Sequence, residues 1–217
     1  MSDLALLYDE LAETYAGGRH LFNTMPILAD FAHNLPVGAQ ILDAGCGAGE
    51  PVAHYFVDRG DTVIGIDVSE RMLALARLQV PEATFQAMDM RDLAFQSASF
   101  NAITAVYTVF HLPRADHAAL FARFAQALKP GGRLLLTLAT QEYTGQEEFD
   151  REMAFIGRRL PYSHDRPEVA LSKLATAGLV VVSARLIETG GETFYWIVAR
   201  KPVVQNGVHP TTTPCPP

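Results

Sequence analysis

Leu4, Leu7, Leu11 and Tyr15 recur three or four residues apart with acids between them, which predicts an amphipathic helix that ends at Gly17 and Gly18. A second helical stretch is predicted over residues 25–33, stopped by the Leu35-Pro36-Val37-Gly38 turn. From Gln40 the pattern changes. Short apolar runs at 41–42, 62–66, 83–88, 100–107 and 133–138 alternate with helical stretches near 50–59, 69–79 and 114–129. The last of these carries Leu120, Phe124 and Leu128 on one stripe and meets a stop at Lys129-Pro130-Gly131-Gly132. Such alternation predicts βαβ units on a parallel sheet. Residues 179–187 and 192–199 break the rhythm, because the link Glu188-Thr189-Gly190-Gly191 is too short to cross over. Those two strands must pair antiparallel, which reverses one strand near the C-terminal end of a mostly parallel sheet.

Composition narrows the organisation. The 217 residues, 49% hydrophobic and 19% charged, suffice for one filled core and are marginal for two. The expected layout is an N-terminal helical cap or lid over residues 1–35, a main domain over 36–200 with a substrate-side insert at 140–178, and a disordered Pro/Thr-rich tail at 201–217. The run Glu147-Glu148-Phe149-Asp150-Arg151-Glu152 reads as a solvated helix face within the insert. Seventeen Lys and Arg against 24 Asp and Glu give a net charge of −7, a field that repels a phosphate backbone and disfavours a nucleic-acid binder. Cys46 and Cys215 form no CxxC pair, acids stand where a signal peptide needs bases, and no apolar run reaches membrane-spanning length. A cytoplasmic chain with no membrane partner, monomeric or homodimeric, is expected. His111 and His117 are six apart and no clustered ligand set has metal spacing, so no metal is expected.

The strongest chemical signal is Ile41-Leu-Asp-Ala-Gly-Cys-Gly-Ala-Gly-Glu50, a buried strand that runs into glycines and then a helix. Gly45 permits the tight turn, Gly47 lets backbone approach a ligand, and Gly49 allows helix and strand to pack. These features predict a nucleoside-type cleft on a Rossmann-like doubly wound α/β sheet. The spacing is G-x-G-x-G rather than the dinucleotide G-x-G-x-x-G, and Asp43 and Glu50 flank the turn where a pyrophosphate would be repelled. Acids there suit a ligand with an ammonium and a sulfonium. Asp67 ends the second strand, where it can accept both ribose hydroxyls, and Asp89 ends the third, where it can accept an adenine amino group.

With these residues in view, the sequence resembles the small-molecule branch of the class I S-adenosylmethionine-dependent methyltransferases. LDAGCGAG (42–49), GIDVSERML (65–73), AMDMRDLAF (87–95), FNAITAVYTVFHLPR (100–114) and ALKPGGRLLLTL (127–138) are similar, in order, to that family's motifs. The resemblance implies S-adenosylmethionine as cofactor, S-adenosylhomocysteine as product, and in-line methyl transfer to an O or N atom of a small-molecule acceptor. It places Asp43, Gly45, Cys46, Gly47 and Gly49 toward the methionine end and Asp67 on the ribose. Val68 and Met72 would flank the adenine, Asp89 and the Met90 amide would read its edge, and Tyr107 would stand near the sulfonium. Asn101 departs from the family's usual Asp at the start of strand four, away from the ligand edge.

A base is needed only for an acceptor that is protonated at neutral pH. His111, directly after strand four, and His164, in the insert, are the candidates; His111 can equally cap the following helix or bond local backbone. Tyr15 is expected either to touch the cofactor from a lid formed with Tyr8, Arg19 and His20, or to pack with its helix on the sheet. Cys46 reads as an inert filler. Two alternatives stay open: an NAD(P)-dependent oxidoreductase on a related sheet, opposed by Glu50, Asp89 and the terminal strand pair, and a non-catalytic S-adenosylmethionine-binding module without an acceptor pocket.

Overall fold

The computed structural model describes residues 3–18 and 22–203. Arg19, His20 and Cys215, and the expected disorder beyond Val203, lie outside the described residues. Helices α1 (Asp3–Gly18) and α2 (Met25–Ala32) precede an alternating series: β1 (Gln40–Ala44), α3 (Val52–Asp58), β2 (Thr62–Asp67), α4 (Glu70–Gln79), β3 (Thr84–Ala87), β4 (Phe100–Ala105), α5 (His117–Ala127) and β5 (Leu128–Leu138). Next come α6 (Gln141–Thr144), the hairpin β6 (Phe149–Phe155) and β7 (Arg158–His164), then α7 (Pro167–Thr176), β8 (Val180–Thr189) and β9 (Glu192–Arg200).

Seven strands form one sheet in the order β3-β2-β1-β4-β5-β9-β8. All neighbours through β5 run parallel, and β9 lies antiparallel to both β5 and β8. The sheet is therefore α/β, mostly parallel, with its reversal at the C-terminal end as the short 188–191 link requires. The near-continuous burial of β1 and β4 reflects helices on both faces. Leu28, Phe31, Phe56 and Leu73 cover one face, and Leu120, Phe121, Phe124 and Leu174 cover the other.

Two local expectations change. The acidic run at 147–152 is not a helix face: Phe149 to Phe155 is a strand paired with Arg158 to His164. Phe149, Met153 and Phe155 recur at even spacing and are buried or half-buried, while Asp150 and Glu152 face water, a period of two that outweighs the acidic composition. Ile156 and Gly157 close the hairpin with φ of 44° and 72°, the two left-handed residues that a tight two-residue turn needs. At the end of α5, Leu128 already pairs with Phe100 before the register shifts to Ala102 and Arg133, so Lys129 to Gly132 bulges out within β5 instead of only stopping a helix.

The insert is anchored from beneath. Asp165, 5% exposed, accepts from Nε of Arg114 at 2.9 Å and from Nζ of Lys173, which ties the end of the hairpin to the turn before α5 and to α7. Burial pushes the Asp165 carboxyl up, but the Lys173 and Arg114 bonds outweigh it and leave the group below its ordinary value. Among the described residues no helix is long and apolar enough to cross a membrane.

Candidate active site

The carboxyl ends of β1, β2, β3 and β4 open onto one cleft, at the point where strand order reverses on either side of β1. Gly45, at φ 73°, lies so near Thr108 that a Cβ would stand 2.2 Å from its Oγ1. Gly47, at φ 52°, differs: a Cβ there would meet nothing within 4 Å. The first glycine is required by packing, and the second leaves backbone bare toward open space. Gly49 packs on α4 and β3, where a Cβ would stand 3.1 Å from Val80 and 3.4 Å from Phe85.

Asp67 holds this turn. One carboxylate oxygen accepts from the Gly47 amide at 2.9 Å and the other from the Ser69 amide at 2.9 Å. Burial raises its pKa, against the lowering effect of those amides. Asp89 accepts from the Arg91 amide at 2.9 Å and pairs with its guanidinium, whose Nη1 also lies 3.4 Å from Asp116. For Asp89 burial raises the pKa, but the Arg91 bond outweighs it and leaves the carboxyl lowered. The cleft and its mouth hold about 830 Å³ of empty space, bordered also by Val68, Met72, Met90 and, from α1, Leu4, Tyr8 and Tyr15.

Asp43 and Cys46 lie behind the glycine turn and do not border the cleft. Asp43 is buried and accepts from Thr104 at 2.8 Å. Cys46 is buried, and desolvation first, then the Asp67 and Asp43 charges, push its thiol well above the ordinary value, which keeps it protonated and inert. His164 does not border this cleft; it stacks on Phe149 and bonds Thr144 at 2.7 Å.

His111 does border the cleft. Its Nδ1 lies 2.8 Å from the Pro161 carbonyl and its Nε2 lies 2.7 Å from the Tyr8 hydroxyl. Desolvation lowers its pKa to about 4, so the ring is neutral at physiological pH. Tyr107 sits just past β4 in a left-handed conformation, φ 57°, held by an amide bond to Thr137 at 2.6 Å and a hydroxyl bond with Thr189 at 2.5 Å.

A second cavity adjoins the first and shares Tyr8, Tyr15 and Tyr107 with it. Its other walls are mainly Phe22, Phe110, Phe155, Ile156, Tyr162 and Phe194. Sequence reasoning missed most of this wall and the Tyr8–His111 bond. The rings come from five separate segments, so no local pattern announces them.

Residues 41–132 match the family described as "Methyltransferase domain". Over that stretch, less than half of the chain, the sequence is similar to methyltransferase domains. The chain is 35% identical over 105 residues to a ubiquinone biosynthesis O-methyltransferase of Idiomarina loihiensis, covering 46% of this chain and 42% of the relative. The matched stretch spans about half, or less, of the curated relatives' length: 58%, 38%, 41% and 42%.

Among solved structures, the methyltransferase fold matches the Burkholderia thailandensis 1,6-didemethyltoxoflavin-N1-methyltransferase, crystallised with 1,6-didemethyltoxoflavin and S-adenosylhomocysteine. The TM-score is 0.67 at 20% identity, over 93% of this chain and 92% of that one. It also matches the [4+2]-cyclase SpnF, with a TM-score of 0.71 at 17% identity over 92% and 95% of the two chains. One fold thus carries more than one chemistry, and the site has to decide between them.

Proposed function

We propose that the protein transfers a methyl group from S-adenosylmethionine to an oxygen or nitrogen atom of a small-molecule acceptor. The observation that carries this reading is the pair of adjoining cavities: an acid-bearing nucleoside-type cleft and an aromatic chamber with Tyr8, Tyr15 and Tyr107 between them.

The cofactor fits the first cavity on its donor set. Gly47 leaves a cradle open, two carboxylates border the cleft, and Arg91, the one Arg or Lys among the described lining residues, is engaged by Asp89 and Asp116. That set favours a cationic nucleoside over a pyrophosphate. In this reading Asp67 orients the ribose and Asp89 with the Met90 amide the adenine, which Val68 and Met72 flank. The methionine end lies along Gly45 and Gly47, with Asp43 behind them. When bound, the cofactor supplies an electrophilic methyl group on sulfur. The chain's contribution is to hold the acceptor in near-attack geometry and to keep water out with the rings of Tyr15, Tyr107 and Phe110.

Helix α1 serves as the lid. Asp9 accepts from Ser69 at 2.6 Å, Glu13 pairs with Arg71, and Glu10 lies 3.0 Å from Arg158, so α1 bridges α4 and the hairpin. Of the two histidine candidates for a base, His111 is the one that borders the cleft. The ubiquinone-pathway and toxoflavin relatives, named for O and N methylation, favour a small acceptor of either kind.

Calorimetry with S-adenosylmethionine, S-adenosylhomocysteine and NAD tests the reading. Binding of the first two at comparable affinity, with the product inhibiting turnover, is expected. Binding of NAD alone would overturn it in favour of an oxidoreductase. Loss of S-adenosylhomocysteine affinity on removal of residues 1–20 is the expected result for a lid.

A further inference from the structure

The two acids that border the cleft are held in different ways. Asp67 rests on the Gly47 and Ser69 amides, backbone donors that a ligand does not have to move. Asp89 rests on Arg91 and mostly on its side chain. Its Oδ1 accepts from the Arg91 amide at 2.9 Å and from Nε at 3.1 Å, and its Oδ2 accepts from Nε at 3.1 Å and from Nη2 at 2.6 Å. A carboxylate has about four lone-pair sites, and these contacts occupy them all. An incoming N–H group that needs Asp89 therefore competes with the guanidinium for it.

The guanidinium has a second place to go. Its Nη1 lies 3.4 Å from Oδ2 of Asp116, the residue before α5, whose side chain makes no capping bond to that helix. Arg91 borders the cleft and Asp116 does not. Both are partly exposed, so moving the arginine from one carboxylate to the other trades one screened ion pair for another.

We propose that Arg91 is a specificity-determining counter-ion that masks Asp89 and yields it to the amino group of adenine by moving onto Asp116. This rests on the reading of the first cavity as the cofactor cleft. The arginine weakens S-adenosylmethionine and S-adenosylhomocysteine alike, which favours release of the product, and it blunts the choice of purine. A 6-oxo purine has no amino hydrogen to offer Asp89. Its carbonyl oxygen is tolerated beside that carboxylate while Arg91 neutralises the charge, and is repelled once Arg91 is gone.

The test titrates S-adenosylhomocysteine and its 6-oxo analogue, S-inosylhomocysteine, calorimetrically into the full chain and its variants. Arg91→Gln is expected to bind S-adenosylhomocysteine about two- to fivefold tighter, the weight of a partly exposed ion pair, and S-inosylhomocysteine about tenfold weaker. Asp116→Asn keeps a good helix-capping residue and should weaken S-adenosylhomocysteine about twofold, but should change nothing in the Arg91→Gln background. A purely structural role for Asp116 would show in both backgrounds and overturn the proposal. Weaker S-adenosylhomocysteine binding in Arg91→Gln would make Arg91 a support for Asp89 and overturn it too, as would an unchanged preference between the two purines. Asp89→Ala separates this proposal from the reading beneath it. If Asp89→Ala lowers S-adenosylhomocysteine affinity while Arg91→Gln fails to raise it, the proposal falls alone. If Asp89→Ala leaves that affinity untouched, or the unmodified protein does not bind S-adenosylhomocysteine, the cofactor reading falls and takes the proposal with it.

Discussion

The phenol of Tyr8 donates to Nε2 of His111 at 2.7 Å, a bond that joins α1 to the turn after β4 across 103 residues of sequence. It makes the N-terminal helix part of the site wall. It also buries an imidazole whose charged form has no carboxylate to compensate it among the hydrogen-bond partners it makes.

That burial sets a pH dependence. His111 binds its proton with a pKa of about 4 in the folded chain against 6.5 as the ordinary value, so the unfolded chain holds more protons between those pH values. The stabilisation is full above pH 6.5 and is lost as the pH falls toward 4, by about 3 kcal/mol at most. His117 and His164, also lowered by burial, add slope of the same sign. Urea unfolding from pH 7.5 to 4.5 should show a shallower loss in His111→Gln than in the unmodified protein; equal slopes would contradict the buried neutral ring.

The two turn glycines should separate folding from binding. In Gly45→Ala the new methyl would collide with the β-branched side chain of Thr108, and thermal melts should show marked destabilisation. Gly47→Ala meets open space and carries only the left-handed backbone penalty, about 1–2 kcal/mol, so it should fold. Its affinity for S-adenosylhomocysteine should nevertheless fall, because the methyl occupies the cradle. A Gly47→Ala protein that binds normally would move the ligand elsewhere.

Asp67 should be the costliest carboxylate to lose for cofactor binding. Charge-assisted hydrogen bonds contribute roughly 1.5–3 kcal/mol, so Asp67→Ala is expected to weaken S-adenosylhomocysteine binding about ten- to a hundredfold by calorimetry. Part of that loss comes through the freed Gly47 and Ser69 amides, which Asp67 now orders. Unchanged affinity would remove Asp67 from the ribose.

Asp165 should act on stability and leave the cofactor alone. Asp165→Ala strips Arg114 and Lys173 of a buried partner, and the half-exposed cations recover some solvation, so about 2–3 kcal/mol of unfolding free energy should be lost. S-adenosylhomocysteine affinity should hold, since Asp165 borders neither cavity.

The chain's local pattern was enough to determine the sheet and the cleft at its carboxyl edge. Hydrophobic period, glycine spacing and acids at three strand ends are properties of neighbouring residues, and a parallel sheet brings strand ends to one edge whatever the rest of the chain does. The 147–152 run shows the limit: its acids suggested a helix face, and only pairing with Arg158 to His164 let the alternate apolar positions prevail.

Tertiary structure alone decided what stands in front of the cleft. Tyr8, Phe110, Tyr162 and Phe194 lie on α1, the turn after β4, β7 and β9, and no sequence spacing says that their rings meet. The same holds for the two histidines. His111 and His164 look alike in the sequence, yet one hydrogen-bonds Tyr8 and borders the cleft while the other stacks on Phe149, its partner across the hairpin. Burial and the identity of a partner carbonyl fix a tautomer, and both depend on distant segments folding together.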